Sequence, residues 1–303
     1  MRGTAPASLS DLGKRFGRTV ALDGVSFSIE PGEIFGYLGP NGAGKTTTIR
    51  LLMGMLRPTT GQALVLGHDS WREAVEVHRL VGYVPGEPAL YPRLTAAQHI
   101  DYFGHLRGTP ADPRAGELAE RLDLDLGRPA GTLSRGNRQK LAVLLALMSA
   151  PELLVLDEPT SGLDPIVQQE FQDLLREHVD GGGSVLLSSH VLGEVQRVAD
   201  RIGVLRAGRL IAVERLQELQ AKSLHQVRAT FAEDVTAAEF AGITGIRDLR
   251  VTDHTMTCQA PQAALDAIIK QVGRRRVKDF ECAETELEET FLAYYGSGAD
   301  DAA

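Results

Sequence analysis

Cysteine is almost missing from this chain. Only Cys258 and Cys282 occur among 303 residues, too few for a disulfide framework and without the close spacing of metal ligands. Both read as reduced thiols of a cytosolic protein. Long apolar runs are missing too. No stretch approaches the ~18 residues that span a bilayer, and the opening MRGTAPASLSD lacks the apolar core of a secretory signal. The sequence therefore predicts a soluble chain, with any membrane-spanning part supplied by another polypeptide. Positive charge is also scarce. The balance of 32 Lys+Arg against 40 Asp+Glu, net −8, argues against a broad electrostatic grip on nucleic acid. The one basic cluster, Arg274-Arg275-Arg276, follows a helix-like segment and suits a helix C-terminus. No internal repeat and no low-complexity linker is visible. Hydrophobic residues at 43 % suffice for a real core, and the length fits one large domain plus a smaller one.

The rest of the chain is organised around Gly39–Thr46. It reads GPNGAGKT and satisfies GxxxxGK[ST] at every required position. EIFGYLG before it is a short apolar strand, and TTTIRLLMGML after it has helical spacing. Gly39, Gly42 and Gly44, with Pro40, Asn41 and Ala43 between them, let the backbone curl until several N–H groups point at a phosphate chain. The helix start behind them, through Thr47, adds partial positive charge. Lys45 is placed to reach the β/γ-phosphates of a nucleotide, and the Thr46 hydroxyl to ligate Mg²⁺.

Upstream, residues 8–30 hold two β-like runs flanking the turn-rich GKRFGR. Phe16 falls in that predicted loop, and stacking on adenine and packing within the loop are equally open for it. Downstream come a strand (ALVLG), a helical segment over 70–79, a strand (VGYVP) and a proline-broken loop. Helical periodicity then dominates residues 95–150, with Thr95 as N-cap and breaks at Gly108-Thr109-Pro110 and near Pro129. This predicts a helical subdomain, about 88–150, inserted into an α/β core. Leu133-Ser134-Arg135-Gly136-Asn137 opens its last amphipathic helix. Leu153–Leu156 forms a buried parallel strand that delivers Asp157 and Glu158 to its C-terminal edge, where open α/β sheets bind ligands. Asp157 suits a Mg²⁺–nucleotide site and Glu158 can polarise an attacking water. A later strand, SVLLSS, ends at His190, placed to contact a γ-phosphate. From about residue 221 the pattern changes to βαββαβα, which resembles a small ferredoxin-like α+β module over 221–296, with 297–303 as a disordered tail.

Over residues 8–220 these motifs, in this order, resemble the nucleotide-binding subunit of an ABC transporter. The resemblance implies an α/β P-loop NTPase cassette with a helical subdomain, using ATP and Mg²⁺. Phe16 would be the adenine-stacking aromatic, Asp157 the Walker B aspartate, Glu158 the catalytic glutamate and His190 the switch histidine. Ser134 and Gly136 of LSRGN would bind the γ-phosphate of ATP held by a second subunit, and Asp164 of SGLD would lie at the dimer interface. The implied partners are a second copy of the chain and integral membrane permease subunits at the cytoplasmic face of the membrane. The C-terminal part, ending ETELEETFLAYYG, is similar to tails of drug- and antibiotic-type exporters.

Two departures stand out. The signature is LSRGN rather than LSGGQ, and Gly86 occupies the place of the usual Q-loop glutamine. Glu87 stands next to it, and neither residue is assigned to the metal. Soluble cassette ATPases acting on DNA or ribosomes are disfavoured, because Lys45 and Ser134 are too close in sequence for an intervening coiled coil and only one cassette is present. A weakly catalytic nucleotide sensor is disfavoured by the intact Lys45, Asp157, Glu158 and His190.

Overall fold

A computed structural model describes residues 4–108, 113–218 and 224–284. The polypeptide divides into two compact units, 1–214 and 215–303. The division falls at the end of a strand, a little before the change of sequence pattern near 221. The expected terminal helix from 285 and the expected disordered tail lie outside the described residues.

The first unit opens with a long antiparallel pair, β1 (Ala7–Phe16) and β2 (Thr19–Ile29). β1 also pairs with β4 (Thr60–Val65), which carries the two-residue β5 (His68–Asp69), giving the order β2-β1-β4-β5. The sequence expectation of a loop at Phe16 is corrected here: Phe16 ends β1 opposite Thr19, so the turn is only two residues long. Register breaks between Leu9 and Leu12, with Asp11 at φ 47°, place both leucines in the core. This bulge hides the period-2 alternation that would have marked the strand.

The second sheet is built from β3 (Ile34–Leu38), β6 (Val81–Val84), β7 (Leu153–Asp157), β8 (Ser184–Ser189), β9 (Arg201–Arg206) and β10 (Arg209–Arg215), in the order β10-β9-β3-β8-β7-β6. β9, β3, β8, β7 and β6 pair in parallel. β3, β7 and β8 are buried at every residue, as expected for strands covered on both faces. Phe27 of β2 stacks on Phe35 of β3 with ring centroids 4.9 Å apart, joining the two sheets through a common core. The registers bring Leu38 level with Ser189, and Asp157 level with Ser188. The C-terminal ends of the three central strands therefore emerge along one edge.

Helices fill the crossovers. α1 (Lys45–Leu52) follows β3 and α2 (Ala74–Leu80) precedes β6. The predicted helical insertion consists of α3 (Ala96–Arg107), α4 (Pro113–Arg121) and α5 (Arg135–Leu147). Thr95 caps α3 in a reciprocal box with Gln98, and Ser134 caps α5 by accepting from Asn137 N at 3.2 Å. α6 (Pro165–Asp180) starts with proline at its first turn and Asp164 as N-cap, bonded to the N–H groups of Ile166 and Val167. α7 (Leu192–Gln196) is short.

The second unit is a four-stranded antiparallel sheet of β11 (Leu224–Phe231), β12 (Arg247–Thr252), β13 (Thr255–Pro261) and β14 (Val277–Glu284), ordered β12-β13-β11-β14, with α8 (Gln262–Val272) between β13 and β14. Its core gathers Phe231, Phe240, Met256 and Ile268. The helix expected in VTAAEFAGI is reduced to one 3₁₀ turn at Ala237–Glu239. Thr236 and Glu239 close a capping box around it, but Phe240 turns into the core and glycines at 242 and 245 leave no length to propagate.

Candidate active site

The loop from Gly39 to Thr46 leaves the end of β3 and enters α1 through Gly44, whose φ of 112° lies in the left-handed region. A Cβ there would stand 2.8 Å from the Ala21 carbonyl oxygen as well as being strained, so only glycine fits. No side chain caps α1 and no acid lies in its first turn. Its free N–H groups and partial positive charge are therefore available to an anion. Thr48 is occupied structurally, donating to Gly44 O and sharing a 3.1 Å bond with Tyr37 Oη beneath the loop.

Lys45 is 6 % exposed. Its Nζ donates to Gly39 O at 2.6 Å and lies 3.2 Å from Glu158 Oε1. The other carboxylate oxygen, Oε2, is 2.6 Å from His190 Nδ1. A carboxylate only accepts, so Nδ1 carries the proton of this bond. Glu158 thus bridges the lysine of the loop and the histidine that follows β8. Its own backbone has φ 52°, a conformation that costs about 1–2 kcal/mol in a residue with a Cβ. Glu158 N is held by Ser188 Oγ at 3.1 Å and Ser188 O at 3.2 Å.

Asp157 is buried beneath. Its Oδ1 accepts from Ser188 Oγ at 2.8 Å, while Oδ2 lies 3.9 Å from where a Cβ on Gly86 would stand. Burial first, and then the negative Asp157, push the Tyr83 phenol up to about 12.

An open cleft of about 510 Å³ lies over Lys45, Glu158 and His190, with Asp157 beneath it and not among its lining residues. Of the residues singled out in the sequence, Pro40, Asn41, Gly42, Ala43, Gly44, Lys45, Thr46, Thr47, Glu158 and His190 line it. Gly39 lies behind, with its carbonyl on Lys45. Phe16, Ser134, Gly136 and Asp164 are not among its lining residues. Phe16 is 48 % exposed and carries Lys14 Nζ 5.0 Å from its ring centroid. Ser134 and Asp164 cap α5 and α6.

Sequence reasoning missed four contributors. Ser188 fixes both Asp157 and Glu158, through a strand register that no local pattern announces. Arg135 and Ser161 also line the cleft and bond each other. Glu194 accepts from Thr160 Oγ at 2.9 Å and Ser189 Oγ at 2.8 Å, tying α7 to the turn after β7.

Such an arrangement can cradle a polyphosphate on backbone N–H groups, neutralise it with a lysine, and present a carboxylate oriented by an imidazole to a water. The ABC transporter family model matches residues 22–161. The daunorubicin resistance ATP-binding protein DrrA3 of Streptomyces coeruleorubidus is 37 % identical over 93 % of this chain and 93 % of its own length. The daunorubicin/doxorubicin resistance ATP-binding protein DrrA of Streptomyces peucetius is 35 % identical over 98 % and 94 %. Among solved structures, an ATP-binding subunit of an ABC transporter superimposes with a TM-score of 0.68 at 28 % identity, covering 72 % of this chain and 92 % of that one. The chain therefore belongs to the ABC transporter family as an ATP-binding, ATP-hydrolysing subunit.

Proposed function

We propose that two copies of the chain close head to tail over two ATP molecules and power export of a drug- or antibiotic-like small molecule through separate membrane-spanning subunits. The observation that carries this reading is the Lys45–Glu158–His190 chain of contacts at the mouth of the phosphate loop. It brings an ammonium, a carboxylate and an imidazole together in one cleft, which supports reading them as phosphate-binding cation, base and orienting group. Resemblance to drug-resistance ATP-binding proteins along almost the whole chain supports the export direction.

Lys45 is held by Glu158. An incoming phosphate competes for the ammonium, and its capture releases the carboxylate to accept a proton from water. His190 keeps Glu158 aimed through Nδ1–H. The Thr46 hydroxyl and the unbonded side of Asp157 fit Mg²⁺, a cation that keeps few protein ligands and leans on phosphate oxygens. Bound there, Mg²⁺ would neutralise charge on the phosphates.

Ser134 and Gly136, outside the chain's own cleft, serve the nucleotide of the partner copy, and Asp164 lies at the junction between copies. Phe16, exposed at the end of β1, offers its face to the adenine. The membrane subunits dock at a groove of about 250 Å³ lined by Met53, Met55, Tyr83, Leu90 and Phe103, beside the exposed Tyr91 and Leu106. Docked there, the chain works peripherally, at the cytoplasmic face; no helix among the described residues is long and apolar enough to cross a membrane. Residues 221–296 act as an accessory module.

The test combines ATPase assays with capture from detergent-solubilised membranes. Parental chain should hydrolyse ATP, Glu158→Gln should bind ATP without turning it over, and a polytopic membrane protein should co-purify. Parental turnover by Glu158→Gln would overturn the base assignment. Recovery of only ribosomes or nucleic acid would overturn the transport reading.

A further inference from the structure

The first turn of α5 sits directly on the turn that follows Glu158. Gly136 approaches so closely that an added Cβ would stand 2.6 Å from Gly162 O. The stem of Arg135 lies across Gly162, 3.6 Å from where that residue's Cβ would be. Its Nη2 then donates to Ser161 Oγ at 2.8 Å. Ser161 N in turn bonds Glu158 O at 3.3 Å. The segment 158–161 is therefore pinned at both ends, by Ser188 at Glu158 and by Arg135 at Ser161.

Arg135 is a poor choice for helix stability. It is the first residue of α5, where the helix's own partial positive charge disfavours a cation. It is exposed and makes no ion pair among the described residues. Among the described residues its side chain makes one hydrogen bond, to a serine of the turn that follows Glu158.

We propose that Arg135 is a positioning residue for the hydrolysis step. By holding Ser161 it makes the aim of the Glu158 carboxylate depend on where the start of α5 sits. The left-handed backbone at Glu158 makes that aim sensitive, because a strained residue persists only while its surroundings hold it. A carboxylate displaced by about 1 Å loses roughly 10²-fold in an oriented reaction, so a partial slackening should cost a measurable fraction of that. This inference rests on Glu158 acting as the base.

The experiment uses the full chain with Arg135→Ala, Arg135→Lys, Ser161→Ala and the Arg135→Ala/Ser161→Ala double variant. It measures kcat, KM for ATP, affinity for a fluorescent ATP analogue, and melting temperature. The expected result is a fall in kcat of about tenfold for either alanine variant, with nucleotide affinity within about twofold of parental. The double variant should be no slower than either single one, because both remove the same bond. Arg135→Lys, which can still donate to Ser161 Oγ, should recover at least half of kcat. Losses that multiply in the double variant would overturn the proposal. So would an unchanged kcat, or a fall in nucleotide affinity at constant kcat, which would make Arg135 a phosphate ligand. Glu158→Gln is the separate control. If it turns over ATP at the parental rate, the base reading falls; if it is silent while the Arg135 and Ser161 losses multiply, only the link between them falls.

Discussion

Replacing Glu158 with glutamine should do two things besides stopping hydrolysis. It should make the first unit less stable, and it should tighten ATP binding. Lys45 Nζ stands 3.2 Å from Glu158 Oε1. At an effective dielectric constant of about 20 that attraction is about 5 kcal/mol before costs. Most of it is offset. Lys45 keeps its bond to Gly39 O, and Glu158 is partly open to water, which screens the pair. Breaking a fully buried pair costs about 3–5 kcal/mol, so about 1–2 kcal/mol is a reasonable net value here. For a unit of residues 1–214, at about 2–4 °C per kcal/mol, the melting temperature should fall by about 2–8 °C. The same 1–2 kcal/mol is no longer spent when a phosphate takes Lys45 from Glu158. ATP should therefore bind about 5- to 30-fold more tightly. Differential scanning fluorimetry without nucleotide and fluorescence titration with an ATP analogue measure the two effects. A Glu158→Gln protein that melts at or above the parental temperature and binds with parental affinity would refute the resting ion pair.

Other expectations follow from single residues. Gly44→Ala should abolish nucleotide binding while leaving the second unit's unfolding unchanged, because φ 112° and the 2.8 Å approach to Ala21 O both forbid a Cβ; equilibrium titration with the analogue checks it. Burial, and then the charge of Arg114, press the His178 imidazole down to about 4 from 6.5. The folded ring resists a proton that the unfolded chain accepts, so this site's contribution is complete above about pH 6.5. On the order of 3 kcal/mol should be lost as pH falls toward about 4. Acid-unfolding curves of His178→Leu, which cannot titrate there, should be flatter than parental over that interval. Met55→Glu, in the apolar groove, should leave the ATPase rate of the isolated chain within about twofold and abolish co-purification of the membrane subunits.

Much of this site could be read from the sequence because its parts are local. The loop GPNGAGKT, the apolar run ending at Asp157-Glu158, and Asp164-Pro165 opening a helix each carry their own signal within ten residues. Residues whose roles come from another element carried none. Ser188 matters because the β7–β8 register sets it beside Asp157, and nothing within SVLLSSH announces that. Arg135 finds Ser161 from 26 positions away. Phe16 was misplaced for a related reason: β1 is a strand through its pairing with β2 and β4, and its glycine, charges and bulge read locally as a turn. The 3₁₀ turn at Ala237–Glu239 shows the converse, a good capping signal overruled by the burial of Phe240.

The alignment of strand ends along the parallel sheet has a consequence for how this protein becomes competent. Lys45 stands more than a hundred residues before Glu158 and His190 in sequence, yet the three meet because β3, β8 and β7 lie side by side. A nascent chain holding only the phosphate loop possesses the motif without its counter-charges. Long-range parallel pairing is the slow part of folding such a domain. Nucleotide binding should therefore appear late and all at once, when β8 inserts between its neighbours. ATP then acts as an inspector of the finished sheet: it stabilises chains that have closed this central strand and gives nothing to those that have not.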